Sequence, residues 1–293
     1  MNSTNTETGT LDPCVPNGLQ MVNHLAGQEI NRQVDEVLAA DLARLVGGLG
    51  AAVHAAGEFK TGVVRRAVRM GVRQIIDLGC GIPRLPHIYQ RAHDLDPSAL
   101  VVSVETDVWA VAHARAELDA THLTPVITAP YLTADILDHP VLHDRVDWRH
   151  PVCVLLVSSP HTAALRDLAG LVAAIVSRLP QGSLLAVSQW ALDDDMTRWA
   201  VNGLLAERTR GWWGQVRSSA EIVAALTPHP LLGPPPGSVA RRARSAKRRH
   251  PAPGGGQLAE VVEFGGIIHL GGPALPAQIA VATVHTSNPR NLP

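Results

Sequence analysis

The sequence has few aromatic side chains, few cysteines and no excess of charge of either sign. Only 3% of its 293 residues are Phe, Trp or Tyr, so the core must be built from Ala, Val, Leu and Ile. Lys plus Arg number 25 against 26 Asp plus Glu, a formal charge of -1, which excludes a globally basic nucleic-acid binder. With 46% hydrophobic and 17% charged residues, the composition is typical of a compact folded protein.

The chain also has no sign of a targeting or membrane-spanning segment. Residues 1–16 are polar and have no basic start followed by an apolar run, so no secretory signal is expected. No apolar run reaches the roughly 18 residues that a membrane span needs. Cys14, Cys80 and Cys153 have no metal-ligand spacing and cannot all pair within one chain. We therefore expect reduced thiols, no metal site, no membrane partner and a cytoplasmic location.

Strand-like runs alternate with helix-like segments through the middle of the chain. The runs are short and apolar throughout, which is typical of strands buried on both faces. They lie at 74–77, 100–105, 126–128, 152–158 and 183–188. Helical patterns separate them, for example at 107–120 and 165–179. The alternation predicts an α/β fold with a doubly wound, mostly parallel sheet.

The segments on either side of this alternation differ from it. Residues 1–16 are predicted to be a flexible tail, and 17–70 an N-terminal helical segment packed on the core. Residues 228–256 are rich in Pro, Gly and Arg and are predicted to be a mobile insertion. Strand-like runs at 261–270 and 278–286 then predict a C-terminal antiparallel hairpin at one edge of the sheet.

A basic cluster at 241–249 lies inside the predicted insertion. Such a cluster could bind nucleic-acid phosphates. A solvated loop is the favoured interpretation, because no aromatic residue interleaves the cations. Nucleic acid is therefore expected as a partner, if at all, only through this cluster.

A glycine turn follows the first predicted strand. Gly79 and Gly81 would let backbone N–H groups approach a ligand closely at the carboxyl edge of the sheet. A dinucleotide fingerprint needs a third glycine where Arg84 stands, which argues against a nicotinamide cofactor. Asp77 would repel a pyrophosphate and fits a ligand with a cation, such as S-adenosylmethionine with its ammonium and sulfonium. An ordinary strand-to-helix turn is the alternative.

Two acidic residues follow the next two strands. Glu105 ends the second strand, where a carboxylate can accept hydrogen bonds from ribose hydroxyls. Asp135 follows the third strand, where it could accept a hydrogen bond from an adenine amino group. The alternatives are a solvated strand end for Glu105 and a helix N-cap for Asp135.

Three stretches together resemble an actinobacterial family of S-adenosylmethionine-dependent methyltransferases of uncharacterised function. They are 71–83 (GVRQIIDLGCGIP), 112–116 (AHARA) and 151–157 (PVCVLLV), and 22–27 (VNHLAG) resembles the short helix that heads the family. The resemblance covers about residues 17–190. It implies a Rossmann-like, class I methyltransferase domain over 71–293, with a final antiparallel strand. It also implies that Gly79, Gly81, Glu105 and Asp135 contact the cofactor.

The chain departs from the family's pattern at several positions. Ser103 and Val108 stand where the family has a Tyr and a Pro around the second-strand acid. Asn23 and His24 replace an acidic-aromatic pair, and Gln28 replaces the second glycine of a Gly pair. If the N-terminal helix covers the cofactor, these changes alter affinity or activity.

The sequence identifies the residue that would assist methyl transfer less clearly than it identifies the cofactor site. Methyl transfer from a sulfonium needs alignment and at most one base. His161, which follows the fourth strand, is the predicted catalytic base, and His87 is a second candidate; a structural or solvent-facing role is the alternative for each. The predicted cofactor-binding residues are Asp77, Gly79, Gly81, Glu105, Thr106, Asp135, Ile136 and Ser158.

The sequence thus predicts an S-adenosylmethionine-dependent methyltransferase that acts on a small-molecule acceptor. Specialised metabolism as its context comes from the resemblance alone. One alternative is a regulatory or scaffold protein that binds the cofactor without catalysis. A second is a nicotinamide-dependent oxidoreductase, against which the missing third glycine argues.

Overall fold

The computed structural model describes residues 12–118, 123–161, 165–239 and 258–271. Their strands are β1 Gln74–Leu78, β2 Leu100–Glu105, β3 Val126–Thr128, β4 Cys153–Val157, β5 Leu184–Ala191, β6 Gly237–Ser238 and β7 Val262–His269. They form one sheet in the order β3-β2-β1-β4-β5-β7-β6. Strands β1 to β5 are parallel, whereas β7 runs antiparallel to β5 and β6 antiparallel to β7. The predicted doubly wound, mostly parallel sheet with an antiparallel edge is confirmed.

Helices cover both faces of this sheet, and the N-terminal helices pack beside it in a separate cluster. They are α1 Gly18–Leu25, α2 Gln33–Leu45, α3 Leu49–Arg69, α4 Ile88–His93, α5 Val108–Leu118, α6 Pro140–Arg145, α7 Leu168–Val176, α8 Asp195–Arg208 and α9 Ser219–Leu226, with a 3₁₀ helix at Ala134–Asp138. Helix α9 begins with a capping box, in which Ser218 N–H donates to Glu221 Oε2 at 2.7 Å and Glu221 N–H donates to Ser218 Oγ at 3.3 Å. In the described ranges no helix is long and apolar enough to cross a membrane.

The sheet is buried on both faces, as its continuous apolar strands predict. Successive strand residues point to opposite faces, so Ile75 and Leu155 pack with α3, whereas Ile76 and Val154 pack with α7 and α9. A third cluster joins α1, α2 and α8 around Trp190. Each fully buried aliphatic side chain contributes about 1.5–3 kcal/mol, so these layers fix the positions of the loops at the carboxyl ends of the strands.

The chain around the predicted insertion differs in part from expectation. Residues 228–239 are packed, because Leu232 and Val239 are buried and β6 pairs with β7. The first part of the predicted insertion thus has two buried side chains that its Pro- and Gly-rich composition did not indicate, and its mobility stays a prediction. The basic cluster at 241–249, the second hairpin run at 278–286 and residues 1–11 of the predicted tail lie outside the described residues.

Candidate functional site

A cavity of about 840 Å³ opens at the carboxyl ends of β1 and β4. Cavities of this size are typical of small-molecule sites, and this edge is where doubly wound sheets bind ligands. Four of the predicted cofactor-binding residues line it, and they are Asp77, Gly79, Gly81 and Ser158. Side chains of α1 and α3 form the opposite wall, for example Leu19 and Val53.

The glycine turn after β1 has a conformation that requires glycine. Gly79 and Gly81 have φ values of 74° and 68°, in the left-handed region that side chains disfavour. A Cβ on Gly79 would lie 2.5 Å from the Cβ of Ser159 and 2.9 Å from the Tyr131 ring, so the space is also closed to any side chain. The turn therefore brings its backbone to the cavity without side chains in between.

Glu105, the last residue of β2, stabilises the glycine turn through hydrogen bonds to backbone N–H groups. Its Oε2 accepts from the backbone N–H of Gly81 at 3.0 Å, and its Oε1 accepts from the N–H groups of Thr106 and Asp107 at 2.8 and 3.2 Å. Burial raises the pKa of this carboxyl, although the three backbone donors oppose the shift. Glu105 does not line the cavity, so in this structure it organises the turn, and the ribose contact stays a prediction.

Asp77 forms a buried ion pair that the sequence did not reveal. The ammonium of Lys60, on α3, lies 2.8 Å from Asp77 Oδ1 and donates a hydrogen bond to Oδ2 at 3.0 Å. Both side chains are largely buried, with 14% and 4% of their surfaces exposed, and both residues line the cavity. Both carboxylate oxygens of Asp77 thus lie within 3.0 Å of the Lys60 ammonium, and the pair places a carboxylate and an ammonium together at the cavity wall.

Helix α1 is tied to both neighbouring elements, which fixes it over the cavity. Asn17 caps α1, accepting from the N–H groups of Leu19 and Gln20 at 2.9 and 3.1 Å. Its own amide donates to Asp107 Oδ2 at 2.6 Å, and its backbone N–H donates to Asp35 Oδ1 at 2.6 Å. These bonds connect the N-terminal helices to the loop after β2.

Comparison with known proteins identifies the family of this site. A sequence profile of the S-adenosyl methyltransferase family matches residues 4–267. The chain belongs to this family. The resemblance to the actinobacterial methyltransferases is confirmed, and the family's cofactor is S-adenosylmethionine.

Two solved structures have the same fold as this methyltransferase family member. A proposed methyltransferase of Thermobifida fusca YX is 24% identical, with a TM-score of 0.75, over 89% of this chain and 97% of that one. A DUF574 family protein from Streptomyces avermitilis MA-4680 is 22% identical, with a TM-score of 0.71, over 87% and 98%. The search of curated proteins gave no match.

The residues at the cavity fit S-adenosylmethionine. The cofactor carries an ammonium, for which the buried Asp77 carboxylate at the cavity wall is an acceptor. It carries no phosphate, and a buried carboxylate beside the turn would repel one. At the glycine turn the cavity is lined by Gly79 and Gly81, which present backbone and no side chain to a ligand.

His161 lies in the core rather than on the cavity wall. It is fully buried, its ring stacks on Trp190 with 4.8 Å between centroids, and its Nδ1 accepts from the backbone N–H of Trp190 at 3.3 Å. Burial lowers the pKa of His161 to about 3, so the ring is neutral at pH 7. This position is that of a packing residue and does not support the predicted role as base.

His87, the second histidine candidate, does line the cavity. Its Nε2 lies 2.8 Å from Glu117 Oε2, and its ring stacks with Tyr89 at 5.6 Å between centroids. Gln90 Oε1 accepts from the His87 backbone N–H at 2.8 Å, which helps to fix the start of α4. A histidine held by a carboxylate at a cavity wall is the usual arrangement of a general base.

The remaining predicted residues do not line the cavity. Thr106 and Asp135 are exposed, and Ile136 is buried in the core beneath the sheet. The alternative for Asp135 was a helix N-cap, but the N-cap of the 3₁₀ helix is Thr133. Their contacts with the cofactor stay predictions.

Proposed function

We propose that the protein transfers the methyl group of S-adenosylmethionine to a small-molecule acceptor bound in the cavity beside the glycine turn. The observation that carries the proposal is the buried Asp77 carboxylate, which lines the cavity beside the glycine turn and can meet a cationic group of a ligand there. Gly79 and Gly81 support the proposal because they line the cavity with backbone and no side chains. Specialised metabolism as the context rests on the family resemblance alone.

S-adenosylmethionine, when bound, supplies a methyl group on a sulfonium and is left as S-adenosylhomocysteine after transfer. The protein's contribution is then alignment of the acceptor and removal of its proton where the acceptor has one to lose. We assign the proton to His87. A hydrogen bond from its Nε2–H to Glu117 leaves the lone pair on Nδ1, which can take the proton.

The cavity wall also indicates the charge of the acceptor. Arg84 lines the cavity, and its guanidinium forms no ion pair within the described residues. Arg84 is half-buried, and this burial lowers the pKa of its guanidinium. Arg65 and Arg91 lie on the same wall. These cations support an acceptor with a carboxylate or another anionic group.

The test is release of S-adenosylhomocysteine in the presence of candidate acceptors. Aromatic and aliphatic acids are compared with their neutral amides. We expect turnover with a subset of the acids and not with the matched amides. If cofactor binds but no acceptor in either set is methylated, the regulatory or scaffold alternative replaces the proposal.

A further inference from the structure

Arg91, on α4, has a buried hydrogen-bond donor that is left without an acceptor. Its Nε is buried and makes no hydrogen bond within the described ranges. Its Nη1 lies 3.9 Å from Oδ2 of the exposed Asp94, which is beyond hydrogen-bond distance. Leaving a buried donor unpaired costs free energy, and more so on a charged group. Because Arg91 lines the cavity, a ligand with an acceptor oxygen can supply the missing partner.

The charges on the cavity wall favour an anionic ligand. Lys60 and Asp77 form an ion pair and offset each other. Three further cations line the cavity against one further carboxylate, that of Glu58. The three are Arg65, Arg84 and Arg91. Among the described residues, none of the three has a carboxylate within hydrogen-bond distance, so the wall carries an excess of positive charge.

Of these three cations, Arg91 is the one with a buried and unpaired nitrogen. Arg65 is exposed, and Arg84 is half-buried in the loop between the glycine turn and α4. A guanidinium presents Nε–H and an Nη–H side by side in one plane, which matches the two oxygens of a carboxylate. The unpaired Nε–H of Arg91 is therefore suited to bind a carboxylate.

Arg91 lies one helical turn from His87, to which the proton of the acceptor is assigned. The backbone N–H of Arg91 donates to the carbonyl oxygen of His87 at 3.1 Å, and both residues line the same cavity. One turn of helix rises about 5 Å. Glu117 Oε2 lies 2.8 Å from His87 Nε2 and fixes the ring. The residue that takes a proton and the residue that binds an anion are thus about 5 Å apart along α4.

We propose that Arg91 binds the carboxylate of the acceptor, and that its spacing from His87 selects hydroxy acids whose hydroxyl and carboxylate groups are about one helical turn apart. The inference rests on the proposed function and adds a specificity-determining residue to it. The hydroxyl oxygen forms the new bond to the methyl carbon while the bond from that carbon to sulfur breaks, and the hydroxyl proton passes to His87. The carboxylate stays charged at Arg91, so the product is a methyl ether and not a methyl ester.

Rigid positional isomers measure this spacing. The probes are 2-, 3- and 4-hydroxybenzoate and their amides, titrated by calorimetry into protein saturated with S-adenosylhomocysteine. In 2-hydroxybenzoate the two groups are on neighbouring ring carbons, too close together to reach both residues. We expect 3- or 4-hydroxybenzoate to bind about tenfold more tightly than the 2-isomer and than its own amide, since the amide loses a charged hydrogen bond.

Variants of Arg91 test the assignment of the carboxylate. In Arg91→Met, the affinity for the preferred hydroxybenzoate should fall about tenfold, to that of its amide, while the affinity for the amide stays the same. Arg91→Lys should restore part of the loss, because an ammonium keeps the charge but not the planar pair of donors. Arg69→Met is the matched control: it removes an exposed arginine of α3 that does not line the cavity, and binding of all probes should be unchanged.

Equal affinities for the three isomers, or no binding of any of them to protein loaded with S-adenosylhomocysteine, would overturn the inference. So would equal losses for acid and amide in Arg91→Met, a loss in Arg84→Met but not in Arg91→Met, or a methyl ester as the product. If Arg91→Met does not fold, the preference of the wild type among the isomers and over the amide decides. A wild-type protein that does not bind S-adenosylhomocysteine contradicts the proposed function itself, which is a distinguishable result.

Discussion

The Oε2 atom of Glu105 accepts a hydrogen bond from the backbone N–H of Gly81, with 3.0 Å between the two atoms. This bond joins the end of β2 to the turn that follows β1, so the two neighbouring loops of the cofactor site act as one unit. Glu105→Ala leaves that N–H without its acceptor. We expect the affinity for S-adenosylmethionine to fall by about fivefold or more, equivalent to about 1 kcal/mol.

Calorimetric titration of Glu105→Ala and Glu105→Gln measures this effect. The Gln variant keeps one carbonyl oxygen and should lose less affinity than the Ala variant. An affinity in Glu105→Ala equal to that of the wild type would remove this residue from the site.

Gly79 is predicted to tolerate no side chain. Its φ of 74° and the 2.5 Å approach of a Cβ to Ser159 Cβ both oppose Gly79→Ala, which should lower the free energy of unfolding by about 1–3 kcal/mol and weaken cofactor binding. Gly203→Ala is the control, because Gly203 lies in α8 with no atom within 4 Å of an added Cβ. Chemical denaturation should show that variant as stable as the wild type or up to about 1 kcal/mol more stable. Equal stability of Gly79→Ala and the wild type would contradict the close packing of the turn.

Glu263 should make the protein less stable in alkaline solution. Burial raises the pKa of Glu263 from 4.5 to about 8, so the folded protein keeps a proton that the unfolded chain loses. The stability that this group contributes is present in full below the unfolded pKa and is lost as the pH rises through about 8. Glu263→Gln, which remains neutral, should gain stability relative to the wild type between about pH 5 and pH 9. Urea denaturation at both pH values measures the free energy of unfolding of Glu263→Gln and of the wild type. If the difference between the two proteins is the same at both pH values, the prediction is contradicted.

The two histidine candidates should behave differently in catalysis. His87→Gln should lower kcat about a hundredfold for an acceptor that loses a proton, with little change in cofactor affinity, because a general base contributes to the chemical step. His161→Phe should leave the pH profile of kcat unchanged, since burial lowers the pKa of His161 to about 3 and the ring does not titrate near neutral pH. Steady-state kinetics from about pH 5 to 9 compare the two variants. A pH profile that changes only in His161→Phe would reverse the assignment.

The main strands of the sheet could be predicted from the sequence because their signal is local. Continuous apolar runs gave β2 and β3 at the residues where the structure has them, and β1 and β4 to within one residue at each end. The turn after β1 was equally clear, because Gly79 and Gly81 are required there by backbone conformation. In both cases the chemistry of a few neighbouring residues decides the structure.

The partners of the site residues could not be predicted in the same way. Lys60 is 17 residues from Asp77, and only the packing of α3 against β1 brings them together. The core position of His161 depends on packing against Trp190, in β5, and Trp213, after α8. Both residues are distant from His161 in the sequence. One signal was available: Lys60 interrupts the apolar face of α3, and a charge on a buried helical face points to a partner.

The central claim, that the cavity beside Asp77 and the glycine turn binds S-adenosylmethionine, is tested most directly by calorimetric titration of the wild-type protein. S-adenosylmethionine and NAD are titrated separately under the same conditions. We expect S-adenosylmethionine to bind with a micromolar dissociation constant and NAD not to bind. Binding of NAD without binding of S-adenosylmethionine would contradict it.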